Sequence, residues 1–340
     1  MLLIKNIDYL DENFKLIKGK SILINPPFIE KIFDSEISEE KKFDIIDGKN
    51  KILMPGFVNN HAHNAMTLLR GYAENLPLAR WLFEKVFPFE NVMNNLSANA
   101  GIKIAAAEML KNGIVSSSDM YFFAEESIKT YLEIGMKINF ARAIVSDGDT
   151  ALNDLISFKE AKEVYEKFNN ADDERIKIDF ALHAEYTSEE KTVREFSDYV
   201  KNLDTGIHLH IAETKKETDE CKKRRKGRTP VKYFYDNGLL SKRTLGAHLV
   251  WINDEDIEIL KETKTFIATC PNSNLKLASG IARLKDMFIK NLNITIGTDS
   301  AASNNSLDIL SEIKLAYLLQ RNFYNDFEIL TPKKLLSAAT

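Results

Sequence analysis

The stretch 57-FVNNHAHNAMTLLRG-71 sets two histidines, His61 and His63, directly after an apolar run. The run reads as a short buried strand, and residues i and i+2 of an extended chain point to the same side. Both imidazoles can therefore face a single point. The chain owns only six histidines in 340 residues, so two of them in one tripeptide ask for a reason. His-x-His alone is a weak signal, because such a pair also arises by chance. Its weight depends on where the remaining histidines fall.

From residue 51 onward, short β-rich runs alternate with longer amphipathic segments. The expected strands are ILMPGFVNN, GIVSSSDM, KINFARAIV, IKIDFALHAE, GIHLHIAE, TLGAHLVW, TFIATCP and ITIGTDS. Segments such as 97-SANAGIKIAAAEMLKNG-113 and 307-LDILSEIKLAYLLQ-320 read as helices between them. Eight βα repeats match an α/β fold of the (β/α)8 TIM-barrel kind, with a doubly wound open sheet as the competing arrangement. Residues 1–50 differ: LLIKN, FKLIKG, SILINP and FDIIDGKNKIL read as strands and turns, without a helical period. The expected division is a small β unit over 1–50 and a barrel over 51–340. The end, 331-TPKKLLSAAT-340, falls inside a helical pattern without a stop signal.

The composition, 44% hydrophobic and 28% charged with a net charge of −4, is that of a soluble globular chain. That balance favours neither a nucleic acid nor an anionic membrane as partner. The N-terminus is too charged for a signal peptide, and no apolar run reaches the length of a membrane span. Two cysteines far apart in sequence, Cys221 and Cys270, imply no disulfide framework, and the expected compartment is the cytoplasm. The outlier 215-KKETDECKKRRKGR-228 is interleaved with acids and lacks stacking aromatics, so it reads as a solvated helix and loop.

Barrel enzymes gather function at the C-terminal ends of their strands. All six histidines map there: His61 and His63 after strand one, His183 on strand four, His208 and His210 on strand five, His248 on strand six. Asp299, in 296-IGTDS-300, ends strand eight. Neutral imidazoles are strong ligands for a divalent ion such as zinc. Of the pair 208-HLH-210, one member can be a packed or supporting histidine. With His210 as the ligand, His61, His63, His210 and Asp299 supply three nitrogens and a carboxylate oxygen. Coordinated water becomes acidic enough to give hydroxide near neutral pH. Asp299 could then take its proton, Glu213 could carry protons to a leaving group, and His248 could orient the water. Singly, His248 could instead be a buried histidine bonded to backbone, and Asp299 could cap the helix begun by 303-SNNSLD-308. Together, at so many strand ends, these ordinary roles are a poor account.

The stretches 55-PGFVNNHAHNAMTLLRG-71, 81-WLFEKVFPFE-90, 183-HAEYTS-188, 208-HLHIAETKKE-217, 247-AHLVW-251, 271-PNSNLKLASGIA-282 and 297-GTDSAASNN-305 resemble the amidohydrolase superfamily. More narrowly, the chain is similar to the S-adenosylhomocysteine/5′-methylthioadenosine deaminase branch, near the atrazine chlorohydrolase group. The resemblance implies one divalent metal ion, zinc or alternatively iron, held by His61, His63, His210 and Asp299. The family's His-x-x-Glu spacing is what selects His210. It implies Glu213 as proton shuttle and His248 and Asp299 beside the attacking water. Dinuclear relatives carry a lysine where this chain has His183, so a single metal is expected. For a nucleoside substrate, the resemblance implies Trp81 against the base or sugar, Glu90 on the ribose hydroxyls, and His183 and Ser303 on the purine edge. Arg142 would meet a carboxylate, and a homo-oligomer would let it do so across a subunit interface. The implied reaction is hydrolytic deamination of a 5′-modified adenosine: S-adenosylhomocysteine, methylthioadenosine or 5′-deoxyadenosine.

Three departures qualify the resemblance. The second arginine often found shortly after Arg142 is missing from 146-SDGDTALNDLISF-158, which shifts the expectation toward a 5′-deoxy or methylthio nucleoside. Ser300 stands where the family usually has Gly, and Leu249 where it has Cys. Relatives also continue past Thr340 into the rest of a small β-sandwich, so this chain is expected to hold only that sandwich's N-terminal strands. Two other readings compete. One is a relative acting on a free base such as guanine or on a chlorinated triazine, the other a truncated, non-catalytic metal binder.

Overall fold

The computed structural model describes residues 1–34, 43–146 and 148–340. The chain divides into two compact units, Met1–Gly56 with Thr340, and Phe57–Ala339. In the first, β1 (Leu2–Leu10), β2 (Leu16–Asn25), β3 (Phe28–Phe33), β4 (Asp44–Asp47) and β5 (Ile52–Leu53) form one sheet. β1 runs antiparallel to β2 and parallel to both β4 and β5, and β3 adds to β2 as an antiparallel edge. Ile4, Ile7 and Ile22 form the unit's apolar core, with Leu2, Tyr9, Ile24 and Leu53 packed against it.

In the second unit, β6 (Phe57–Ala62), β7 (Ile114–Tyr121), β8 (Lys137–Ile144), β9 (Ile176–Ala184), β10 (Ile207–Ile211), β11 (Thr244–His248), β12 (Phe266–Thr269) and β13 (Asn293–Ile296) form one sheet in sequence order. Every neighbouring pair is parallel. Consecutive parallel order with intervening helices gives the (β/α)8 barrel and excludes the doubly wound sheet, whose strand order reverses. The run ILMPGFVNN is therefore two strands: β5 pairs with β1, and only β6 belongs to the barrel.

β13 returns to β6 through the Asn59 side chain and a main-chain bond from Asp299 N–H to the His61 carbonyl. The Asn59 amide donates to Thr298 Oγ1 at 2.8 Å, and its Oδ1 accepts the Thr298 N–H at 2.9 Å. Gly297 makes this closure feasible, since a Cβ there would lie 2.8 Å from both Cβ and N of His61. The expected helices form over Asn95–Lys111 and Ile309–Tyr324. The first starts with a reciprocal capping box between Asn94 and Ser97. The last helix, Pro332–Ser337, has Thr331 as its side-chain N-cap, and Ala339 O accepts the Val58 N–H.

The basic run departs from expectation. Its helix, Lys215–Arg224, buries Glu217, Thr218 and Cys221. Arg224 and Arg225 pair with the wholly buried Glu185, at 2.5 and 2.7 Å. One face of the helix is thus packed, while its lysines and Arg224 remain exposed, Lys215 paired to Asp219.

Candidate active site

The C-terminal rim of the barrel brings the rings of His63, His208, His210 and His248 against His61, and His183 joins them through His210 at 4.9 Å. His61 is fully buried on β6, and the Asp299 N–H donates to its carbonyl at 2.9 Å, tying the end of strand eight to the end of strand one. Each imidazole of the candidate ligand set has its Nδ1 engaged: His61 with His208 Nε2 at 3.0 Å, His63 with the Met120 carbonyl, and His210 with the His183 carbonyl at 2.6 Å. A carbonyl can only accept, so Nδ1 of His63 and of His210 carries the proton, and each Nε2 presents a lone pair.

Those lone pairs converge. Nε2 of His63 lies 3.3 Å from Nε2 of His210 and 3.3 Å from Asp299 Oδ1, and Nε2 of His61 lies 3.6 Å from the same oxygen. Acceptors facing acceptors at this range repel unless a cation lies between them. Among the described residues the buried Nε2 of His61 finds no hydrogen-bond partner. Zinc–nitrogen bonds of about 2.0–2.1 Å in a tetrahedron place neighbouring donor atoms roughly 3.3–3.4 Å apart, close to the spacing found here. The donor set therefore fits a divalent cation. Burial first, then the neighbouring imidazoles, holds His61 and His210 well below the ordinary histidine pKa, in the neutral form a metal requires.

Around this cluster lie the proton-handling candidates. Burial raises the pKa of Glu213, whose Oε1 accepts from the Ser279 hydroxyl at 3.3 Å. Its Oε2 is 3.9 Å from His248 Nε2. His248 is bonded to the Asn274 side chain at 2.9 Å, not to backbone. Burial disfavours its charged form, but Glu213 and Asp299 outweigh that and raise its pKa. Asp299 does not cap the next helix. Ser300 does, and Asp299 Oδ2 instead accepts from Ser273 at 2.5 Å and from Ser303 at 3.0 Å. Ala212, His248 and Asp299 have φ of +50°, +74° and +58°. Left-handed backbone is costly for residues with a Cβ, and here it marks three of the four rim turns that carry the polar groups.

Beside the cluster opens a cavity of about 600 Å³, counting space open to solvent. Trp81, Glu90, His183, Glu213, His248 and Asp299 all line it. Trp81 and Glu90 come from the segment Leu78–Glu90, whose middle, Leu82–Val86, is a wide π-helical turn between two short helical pieces. Burial lifts the pKa of Glu90 to about 7, although the Tyr121 hydroxyl donates to it at 2.7 Å. Burial lowers His183 to about 4, keeping it neutral near physiological pH.

Two expected substrate contacts are not in this cavity. Ser303 is buried against Ser273, Ser300 and Asp299 and supports the carboxylate. Arg142 follows the alternation of β8: Ala143 lines the cavity, so its neighbour points to the opposite face. There Arg142 stacks over Phe122 and pairs with Glu160 at 2.6 Å. Its carboxylate partner is thus within its own chain. His208, bonded to His61, is the supporting member of the 208-HLH-210 pair, and three residues without a sequence expectation, Asn274, Ser279 and Ser273, are each bonded to a candidate ligand or proton carrier. A short polar side chain in a buried rim segment such as 273-SNLKLAS-279 is the signal that could have found these three.

The comparisons with known proteins agree with this geometry. The amidohydrolase family profile matches residues 52–340. A 5-methylthioadenosine/S-adenosylhomocysteine deaminase of Caldanaerobacter subterraneus subsp. tengcongensis is 37% identical over 327 residues, covering 96% of this chain and 75% of that protein. A 5′-deoxyadenosine deaminase of Methanobrevibacter smithii is 36% identical over 325 residues, covering 96% and 73%. Among solved structures, an adenosine deaminase from Xanthomonas campestris with bound zinc superposes with a TM-score of 0.87 at 29% identity, covering 100% of this chain and 78% of that one. A profile spanning the whole barrel, and relatives this similar along nearly the full chain, establish that this chain belongs to the amidohydrolase family.

Proposed function

We propose that the protein is a metal-dependent deaminase that hydrolyses a 5′-modified adenosine to the inosine analogue and ammonia. The observation that carries this reading is one wall of one cavity. At its inner end Nε2 of His61 and of His63 close on Asp299, Nε2 of His210 lies 3.3 Å from that of His63, and Glu213 and His248 stand 3.9 Å apart beside them. His61, His63, His210 and Asp299 would hold the ion. When bound, a divalent cation such as zinc, or iron, supplies Lewis acidity that makes coordinated water a nucleophile near neutral pH. Asp299 and His248 take the proton of the attacking water. Glu213, kept protonated by burial to a higher pH than an exposed glutamate, delivers a proton to the purine ring nitrogen and then to the departing amine. One water enters and ammonia leaves; the water's two protons, passed on by Asp299, His248 and Glu213, end on the ring nitrogen and the ammonia, so each carboxyl and imidazole returns to its starting protonation state.

Trp81 lies against the nucleoside, Glu90 accepts from the ribose hydroxyls, and His183 bonds the purine edge. The rest of the wall is apolar, with Leu78, Leu82, Val86 and Phe87 in one stretch. Arg142, the cation expected for a carboxylate-bearing tail, is turned away. Both features favour a neutral 5′ group, as in 5′-deoxyadenosine or methylthioadenosine, over the charged tail of S-adenosylhomocysteine. Residues 1–50 belong, on this proposal, to a separate β-sandwich domain, and the chemistry lies wholly in 51–340.

The test is a panel of adenosine, 5′-deoxyadenosine, methylthioadenosine, S-adenosylhomocysteine, guanine and a chlorotriazine, read as ammonia or chloride release with zinc supplied. Highest kcat/KM on the two neutral 5′-modified nucleosides is expected. Preference for guanine or the triazine would reject the assignment.

A further inference from the structure

β10 ends at Ile211, and the chain turns through Ala212 before Glu213. The Glu213 side chain is held only lightly, by the Ser279 hydroxyl at 3.3 Å. Its main chain is held by a second carboxylate. Glu217 Oε1 accepts the Ala212 N–H at 2.9 Å, and Oε2 accepts the Glu213 N–H at 2.7 Å and the Thr214 N–H at 3.4 Å. Helix capping accounts for the last of these alone. In a capping box the residue at N3 reaches back to the N-cap N–H and no further, and here the N-cap is Thr214. The two shorter bonds reach past the helix to the turn itself. Across that turn, the Ala212 carbonyl accepts from Val250 N at 3.1 Å and Trp251 N at 2.9 Å, in the segment that follows His248.

We propose that Glu217 is a positioning residue: its buried carboxylate gathers the N–H groups of Ala212, Glu213 and Thr214 and thereby aims the Glu213 side chain between Ser279 and His248 for proton transfer. The proposal rests on the reading of Glu213 as proton carrier. A left-handed Ala212 has no intrinsic preference for this turn, so an acceptor for three successive donors is what keeps it formed. Proton transfer is steep in donor–acceptor placement, and a shift of about 1 Å costs on the order of a hundredfold in rate.

The experiment compares Glu217→Gln, Thr214→Ala and Glu213→Gln with the wild-type holoenzyme on 5′-deoxyadenosine, recording kcat, KM, bound zinc and Tm. Glu217→Gln leaves one acceptor oxygen and turns an amide against N–H donors. Its kcat should fall about 10- to 100-fold, with KM within about twofold and zinc content unchanged. Thr214→Ala removes the other half of the capping box, so it should lower Tm while kcat stays within about twofold. If Glu217→Gln fails to fold, Glu217→Asp, which keeps the charge on a shorter arm, should show the same loss of kcat. A Glu217 variant with wild-type kcat, or one that changes KM alone, overturns the proposal. Wild-type kcat in Glu213→Gln would instead overturn the proton-carrier reading, and the positioning role with it.

Discussion

At the residue scale, the six histidines separate into distinct jobs by what their second nitrogen touches. His63 and His210 donate to main-chain carbonyls, His61 leans on His208, and His248 on Asn274. Second partners of this kind fix ring orientation and tautomer, and losing one typically costs 10- to 100-fold in metal affinity. His208→Ala should therefore weaken zinc binding by about that factor in a chelator competition while leaving the fold intact, and unchanged affinity would remove His208 from the site. Glu90 gives a pH signature. Burial raises it from 4.5 to about 7, so the folded protein binds its proton more tightly than the unfolded chain. The associated stability is present below about pH 4.5 and is lost as pH rises through about 7. Substrate binding runs the other way, because only the carboxylate accepts from both ribose hydroxyls. KM should fall as pH rises through about 7, and Glu90→Gln should flatten that dependence.

That the candidate ligands gather at one rim was legible because imidazoles and a strand-end Asp are rare and chemically loud. The placement of Arg142 and Ser303 was not. β8 is apolar on both faces, with Phe140 and Ile144 buried on one and Ala141 and Ala143 on the other, so no alternation reveals which way Arg142 points. Ser303 is placed on the purine edge by resemblance alone, and the short helix capped by Ser300 that buries it leaves no trace in composition.

At the element scale, the helix Lys215–Arg224 links two rim turns. Its first turn carries Glu217, beneath Glu213. Its end carries Arg224 and Arg225, which neutralise Glu185 two residues after His183. Arg225 also donates to the Ser188 carbonyl and stacks on Tyr233. The sequence reading assigned this run to solvent because charge in a line resembles an exposed face, and pairing with a glutamate 40 positions away leaves no local trace. Removing Arg225 leaves the buried Glu185 to the partly exposed Arg224 alone. Arg225→Ala should lose about 1.5–3 kcal/mol in urea unfolding, the range of a hydrogen bond to a charged group, whereas replacing an exposed pair such as Lys215–Asp219 should cost at most about 1 kcal/mol. Equal losses would show that the Glu185 cluster is no more buried in energy than in sequence.

At the scale of the whole molecule, strand order was legible because each βα repeat is a local pattern. The division of ILMPGFVNN between two sheets was not, since an apolar run looks alike whichever sheet it joins. The barrel's ends meet at Gly297, Asn59 and Asp299, and this seam also carries the candidate ligand cluster, so on the proposed function closure and metal binding share residues. An ion that binds only the closed barrel adds stability in proportion to the logarithm of its concentration over Kd, about 4 kcal/mol at a thousandfold excess. Chelation should therefore lower Tm by several degrees and zinc should restore it, while His61→Ala should show no zinc-dependent rise. Among the described residues no helix is long and apolar enough to cross a membrane.

The central claim is that Glu213 moves protons while His61, His63, His210 and Asp299 hold the ion. Ammonia release from 5′-deoxyadenosine by zinc-loaded wild type and Glu213→Gln, each with bound zinc measured, tests it most directly. The account predicts equal zinc content and a kcat reduced by about 10²- to 10⁴-fold in the variant. Equal kcat at equal zinc content would contradict it.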